Sequence, residues 1–239
     1  MDSKESAHRT NPGWCACCRH STEFVEVGQW LRDQYLCGHC HSIPRQRAVN
    51  LALDTYFPGW EDSSIHESSP SNDFISRHSR KYSRSFFFDD VARGQEPGGD
   101  RCEDLEQLTF HDHTFELFVT QDVLEHVLRP DRAVRQIMRV LKPGGAHVFT
   151  APKHRNLAET RPRVTVEEGQ TVHHLEPEYH GNPIGDGRAL VTWDYGDDFE
   201  LYLWRWCGYP TITYVTRDRS HGLDGEYLEV FVTRKVDLP

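Results

Sequence analysis

The sequence predicts an α/β protein: a mostly parallel sheet with an antiparallel C-terminal tail, preceded by a small metal-stapled module. Three observations predict it. The stretch FELFVTQDVLEHVLRPDRAVRQIMRVLKPGGAHVFTA reads as strand, helix, strand. Two alternating apolar runs follow near the C-terminus. Five of the seven cysteines crowd the first 40 residues.

FELFVT and AHVFTA are short apolar runs suited to buried strands. Between them Val134, Ile137, Met138 and Leu141 recur at i, i+3, i+4 and i+7, one face of a helix. Pro130 and Asp131 suit its start, and Lys142, Pro143, Gly144 and Gly145 its end. Strand, helix and strand at this spacing make a right-handed crossover between parallel strands. Upstream, SFFFDD (residues 85–90) reads as another strand, ending in acids. TITYVT (211–216) and YLEVFVTRK (227–235) read as an antiparallel pair. In sheets of this kind ligands bind beyond the carboxyl ends of the strands.

The chain has 239 residues, room for one α/β domain and a small appendage. Its hydrophobic content of 37% still allows a sizeable core at this length. No run approaches the roughly 18 apolar residues of a membrane helix, so no membrane partner is expected. The opening MDSKESAHRTNPGW is polar and lacks a signal peptide's apolar centre, which predicts a cytoplasmic protein. A formal charge of -10 counts against sequence-blind binding of nucleic acid, which needs Lys and Arg to neutralise phosphates.

Cys15 and Cys18, then Cys37 and Cys40, form C-x2-C, eighteen residues, C-x2-C. This is the spacing of a structural zinc site with four thiolates. Each tight turn presents two sulfurs, and the segment EFVEVGQWLRDQYL between them folds back as a hairpin. Four thiolates leave no open position for catalysis. Residues 1–50 are too short to bury much core, so the metal would supply their folding energy. The division expected is a zinc-binding module over 1–50 and a second domain over 51–239.

From Asp104 to Pro152 the sequence DLEQLTFHDHTFELFVTQDVLEHVLRPDRAVRQIMRVLKPGGAHVFTAP resembles a class I S-adenosylmethionine-dependent methyltransferase. The resemblance implies a Rossmann-like sheet of seven strands and S-adenosylmethionine as cofactor. It implies that Glu67 closes the first strand and faces the ligand turn. Asp89, or its neighbour Asp90, would accept hydrogen bonds from the ribose hydroxyls. Asp104 and Leu105 would flank the adenine, and Gln121 and Asp122 would lie near the methionine end. In SIHESSPSND, Ser69 and Ser71 stand where such proteins usually carry glycine, which tolerates positive φ. Pro70 is expected to hold Ser69 extended.

The resemblance also implies that residues 153–194 cover the acceptor. His173, His174, Glu176, Tyr179 and His180 gather polar groups there that suit a small-molecule or glycan acceptor, methylated at oxygen. His180 is the favoured base, with His173 beside it and His126 after the fourth strand, because imidazole titrates near neutrality. His126 could equally orient its loop. Asn182 and Pro183 suggest a tightly turned loop. Two other readings stand beside this one: an RNA methyltransferase that grips substrate with its zinc ribbon, and a non-catalytic relative with a degenerate cofactor turn.

Overall fold

The computed structural model describes residues 9–181 and 187–236; Asn182 and Pro183 lie outside the described residues. The chain begins with β1 (Arg9–Cys15), β2 (His20–Glu26), the single turn α1 (Leu31–Gln34) and β3 (Tyr35–Cys37). These strands form an antiparallel sheet in the order β1-β2-β3. The segment between the cysteine pairs does fold back on itself, as β2 and β3. Phe24, Tyr35 and the cysteines form the module's small interior, closed from outside by Phe74.

Helix α2 (Pro44–Tyr56) follows, with Pro44 in its first turn and Gln46 accepting a hydrogen bond from the Ile43 amide at 3.0 Å. Residue 50 falls inside this helix, and its Ala48, Val49, Ala52 and Leu53 pack against the main sheet.

The main sheet starts with β4 (Ser64–Ser68), β5 (Lys81–Phe86), β6 (Arg101–Cys102) and β7 (Phe115–Gln121). Helix α3 (Pro130–Val140) then crosses over to β8 (Leu141–Thr150). A cap of short strands comes next: β9 (Arg161–Pro162), β10 (Val164–Glu167), β11 (Gln170–His173), β12 (Tyr179–Gly181), β13 (Arg188–Leu190) and β14 (Trp193–Asp194). They pair as β9–β14, β10–β11 and β12–β13. Helix α4 (Phe199–Cys207), β15 (Thr211–Tyr214) and β16 (Val230–Arg234) complete the order.

Seven strands join as β15-β16-β8-β7-β4-β5-β6. β4 through β8 run parallel, and β16 lies antiparallel to both its neighbours. This is the Rossmann-like sheet of seven strands that the sequence resemblance implied. Alternation along the strands feeds two cores. Val119, Val148, Val230 and Val232 face α2, while Phe118, Phe149 and Phe231 face Val134 and Ile137 of α3 and Phe199 and Leu203 of α4. Among the described residues no helix is long and apolar enough to cross a membrane.

Two local expectations are corrected, and one helix was not expected. α3 ends at Val140, and Leu141 opens β8 instead of closing the helix. Gly144 takes a φ of +78°, and the pairing of β7 with β8 slips between Phe115 and Leu117, so the stop signal bends the incoming strand. β5 ends at Phe86, not at the acids, because its register on β4 pairs Ser68 with Ser85. Helix α4 went unread because FELYLWRW is rich in aromatic residues, which favour strands when tertiary contacts are ignored.

Arg47 of α2 ties the module to the domain. It is fully buried, and its guanidinium donates to the carbonyls of Tyr35 at 2.7 Å, of Gly222 at 2.7 and 3.1 Å, and of Ser42. The Phe24 ring lies 4.7 Å beneath it. Gly222 has a φ of +66°, and any Cβ there would meet the Phe24 ring at 2.5 Å, so glycine is required. Arg47→Met should cost about 3 kcal/mol of stability, because three buried carbonyls lose their donor. Chemical denaturation with zinc content held constant checks this.

Candidate functional site

The carboxyl ends of β4, β5, β6 and β7 open into one cavity of about 1200 Å³. Its first wall is the turn after β4, with Ser68, Ser69 and Ser71. Ser69 is not extended as expected; its φ is +53°. Its amide donates to the Ser85 carbonyl at 2.8 Å, which draws the backbone into the left-handed region. A serine adopts here the conformation that glycine would take freely, at a cost of about 1 kcal/mol. No helix follows this turn; residues 73–79 form turns instead. Asp122, just past the adjacent strand β7, also has a positive φ of +52°. Two non-glycine residues in left-handed backbone thus mark the same rim, as strained functional sites often do.

Asp89 and Phe87 lie beyond β5 and line the cavity, with Asp89 exposed. Asp104 and Leu105 follow β6 on the same wall. Asp104 accepts a hydrogen bond from the Glu106 amide at 2.8 Å, which fixes the turn and leaves its other oxygen 3.9 Å from Arg93. Leu105 is buried below it. Gln121 reaches the cavity from the end of β7.

Glu67 does not line the cavity. Its carboxylate is fully buried under the turn and accepts from Gln121 Nε2 at 2.8 Å and from the Tyr82 hydroxyl at 2.9 Å. Burial outweighs these two donors and pushes its pKa up to about 7. Glu67 therefore holds Gln121 and the base of the turn.

The opposite wall comes from the N-terminal module. Arg32 of α1 and Arg45 of α2 both pair with Asp122, Arg45 at 3.2 Å. Thr150 donates to the same carboxylate at 2.8 Å. Burial alone would raise Asp122, but Arg45, Arg32 and Thr150 together hold it below the ordinary range. Trp30 of the module and Tyr227 pack at 6.2 Å over this pair and also line the cavity. No local sequence signal pointed to Arg32 or Tyr227 at this wall. Arg45 could have been suspected from the basic run PRQR.

The third wall is the cap. Leu124–His126 form a tight turn after β7, and the cap fixes it. Thr192 donates to the carbonyls of Glu125 and Val127, and the Tyr195 hydroxyl donates to the Leu124 carbonyl at 2.7 Å. His126 Nδ1 bonds the Leu190 carbonyl at 2.9 Å, so it carries the proton and leaves Nε2 free. Burial lowers the pKa of His126, favouring the neutral imidazole. His180 on β12 meets it edge to face at 5.1 Å between ring centres. His173 ends β11 on an exposed position away from the cavity, so the structure does not bring it to the other two histidines.

Away from the cavity, Cys15, Cys18, Cys37 and Cys40 place their sulfurs within 4.8 Å of one another. Cys15 to Cys40 is 3.7 Å and Cys18 to Cys37 is 3.9 Å. A tetrahedral ion with sulfur at 2.3 Å sets such edges at about 3.8 Å. The four residues fit a structural zinc ion. Cys17 is buried but points to Asn50 at 3.5 Å, outside this set.

Residues 77–149 match the family model described as a methyltransferase domain. Among solved structures, a toxoflavin-precursor N1-methyltransferase from Burkholderia thailandensis, bound to 1,6-didemethyltoxoflavin and S-adenosylhomocysteine, is similar at TM-score 0.50. It is 11% identical, and the match covers 81% of this chain and 79% of that one. An S-adenosylmethionine-dependent methyltransferase from Mesorhizobium loti is 19% identical, with 78% and 97% covered and a TM-score of 0.49. An amino pentose methyltransferase from Micromonospora echinaspora with S-adenosylmethionine bound is 14% identical, with 82% and 92% covered and a TM-score of 0.49.

Two variants test the rim. Glu67 has a folded pKa near 7 against 4.5 ordinarily, so its ionisation disfavours folding increasingly as pH rises from 4.5 to 7. Glu67→Gln should match the wild type near pH 4.5 and gain up to about 3 kcal/mol relative to it by pH 8, read from denaturation at each pH. Ser69→Gly should raise the melting temperature by relieving the left-handed serine, whereas Ser69→Val should lower it.

Proposed function

We propose that this chain, a class I S-adenosylmethionine-dependent methyltransferase, transfers the methyl group to a hydroxyl oxygen of a small-molecule or glycan acceptor. The single observation that carries the reading is the two-sided cavity. One side gathers Ser69, Asp89, Asp104, Leu105 and Gln121 at the carboxyl ends of the parallel strands, where such sheets bind ligands. The other gathers His126 and His180 under the cap.

In this reading Asp89 takes the ribose hydroxyls, Asp104 the adenine amine and Leu105 the adenine face. Carboxylates suit both places because they only accept hydrogen bonds. Gln121, held by Glu67, and Asp122, held by two arginines, border the methionine end. The cofactor supplies the activated methyl when bound, and the chain supplies alignment and a place for the acceptor's proton. His180 and His126 are the bases assigned here. The exposed His173 drops to a peripheral role.

A structural zinc ion on Cys15, Cys18, Cys37 and Cys40 belongs to the same proposal. It would fix the module that carries Arg32 and Arg45 to the cavity. Both arginines are occupied with Asp122 and largely buried, which argues against the module as an RNA grip. The Burkholderia neighbour binds a small molecule, and a cavity of about 1200 Å³ has room for one.

Calorimetry with S-adenosylhomocysteine should show one site per chain, weakened at least tenfold by Asp104→Ala. Absence of binding in folded wild-type protein would sink the reading. Metal analysis of the same protein, purified without chelators, should find about one zinc per chain, and Cys37→Ser should lose it.

A further inference from the structure

Glu125 has no role in the reading above, yet it is the least satisfied side chain near the cavity. Its side chain is completely buried, and neither carboxylate oxygen has a hydrogen-bond partner. A buried carboxylate without donors is costly, and such groups are normally paired or bound to a cation. Asp122 cannot serve it, being an acid itself and already engaged by Arg32, Arg45 and Thr150.

What does lie close is nitrogen. Glu125 Oε1 is 3.8 Å from His126 Nε2, and the donor atoms of Glu125, His126 and His180 all fall within 4.8 Å of one another. His126 is oriented as metal ligands usually are, with its other ring nitrogen donating to a backbone carbonyl, here that of Leu190. That bond points the Nε2 lone pair into the cluster. The turn itself is held by Thr192 and Tyr195 from the cap, so two of the three groups sit on a fixed frame.

We propose that Glu125, His126 and His180 bind a divalent transition-metal ion on the acceptor side of the cavity. Two imidazoles and one carboxylate are the donor set that Mn, Fe, Co and Zn ions share, and three protein ligands leave positions open. An ion about 2.1 Å from each donor brings neighbouring ligand atoms to roughly 3.0–3.4 Å. Closure therefore asks for roughly 1 Å of inward movement, chiefly by the half-buried His180 on its exposed hairpin strand. Both histidines line the cavity, so the open positions face the acceptor.

The site would accept an acceptor bearing two neighbouring oxygens, such as a vicinal diol or a hydroxy-ketone. A metal-bound hydroxyl loses its proton more readily than a free one. With the ion bound, the two imidazoles would hold it in place of the base role proposed above, and the hydroxyl's proton would pass to solvent water at the cavity mouth. The site's role rests on the methyltransferase reading; its existence does not.

The test uses full-length protein with its cysteine site filled with zinc, titrated with Co(II) and followed by visible absorption and calorimetry. One cobalt ion should bind per chain beyond the zinc, with d–d bands and no thiolate charge-transfer band. His180→Ala and Glu125→Gln should each weaken uptake at least tenfold while keeping zinc content and a cooperative thermal transition. His180 is partly exposed on a short hairpin, so its variant keeps the test valid should Glu125→Gln fail to fold. No cobalt uptake below millimolar, uptake unchanged in His180→Ala, or a thiolate band would each overturn the site. S-adenosylhomocysteine binding on the same samples separates the two proposals. S-adenosylhomocysteine binding without cobalt uptake removes the metal site alone, and cobalt uptake without S-adenosylhomocysteine binding leaves the site and removes the methyltransferase reading.

Discussion

Arg47 is a buried cation with no carboxylate beside it. Its donors go to three main-chain carbonyls, from β3, from the loop after Cys40 and from the turn at Gly222. Main-chain oxygens orient a guanidinium but do not cancel its charge. Burial lowers the Arg47 pKa, and thiolate charge on the neighbouring Cys15, Cys17 and Cys37 sulfurs would oppose that fall. A zinc ion held by four thiolates would carry a formal charge of about −2, which would complement Arg47. Ser42 lies between them, its hydroxyl 3.4 Å from Cys15 Sγ and its carbonyl accepting from Arg47. This small polar knot fixes the module on α2 and on the C-terminal turn.

Everything that the module adds to the cavity follows from that placement. α1 is a single turn with no buried residue of its own, too short to stand alone. It is positioned because β2 and β3 flank it and because the loop after β15 packs against it; a Cβ at Gly225 would meet the Arg32 amide at 2.8 Å. Arg32 then reaches Asp122 across the domain boundary, with Arg45 beside it from the first turn of α2. The cysteine-rich module is thus a wall of the cavity. Asp122 in turn is held in left-handed backbone, a local cost that its pairs with Arg32 and Arg45 offset at the end of β7.

The glycine-free turn is resolved by the same logic. Pro70 cannot force Ser69 into an extended form, because the Ser69 amide is committed to Ser85 on the neighbouring strand. Sheet pairing outweighs a local preference worth about 1 kcal/mol. The serine turn keeps the left-handed step that glycine provides elsewhere, with a hydroxyl added at the rim. Glu67 shows the converse: a residue placed at the ligand turn by analogy that the structure puts beneath it, where it orients Gln121.

Much of the sheet was legible because its signals are local. Strand–helix–strand periodicity over residues 115–151 and the alternating C-terminal runs each lie within one stretch of chain, and the cysteine spacing needs only two tight turns. The ends of elements were less legible, since Leu141 fits the helical stripe and opens a strand equally well. Spacing along the chain was enough for the fold class, the four sulfurs and the acids that follow successive strands. Packing of distant segments was needed to bring Arg32 to Asp122 across 90 residues, to join His180 and not His173 to His126, and to leave Glu125 without a donor. Those facts depend on which surfaces of distant segments are pressed together, and on how burial removes the water that would otherwise satisfy them.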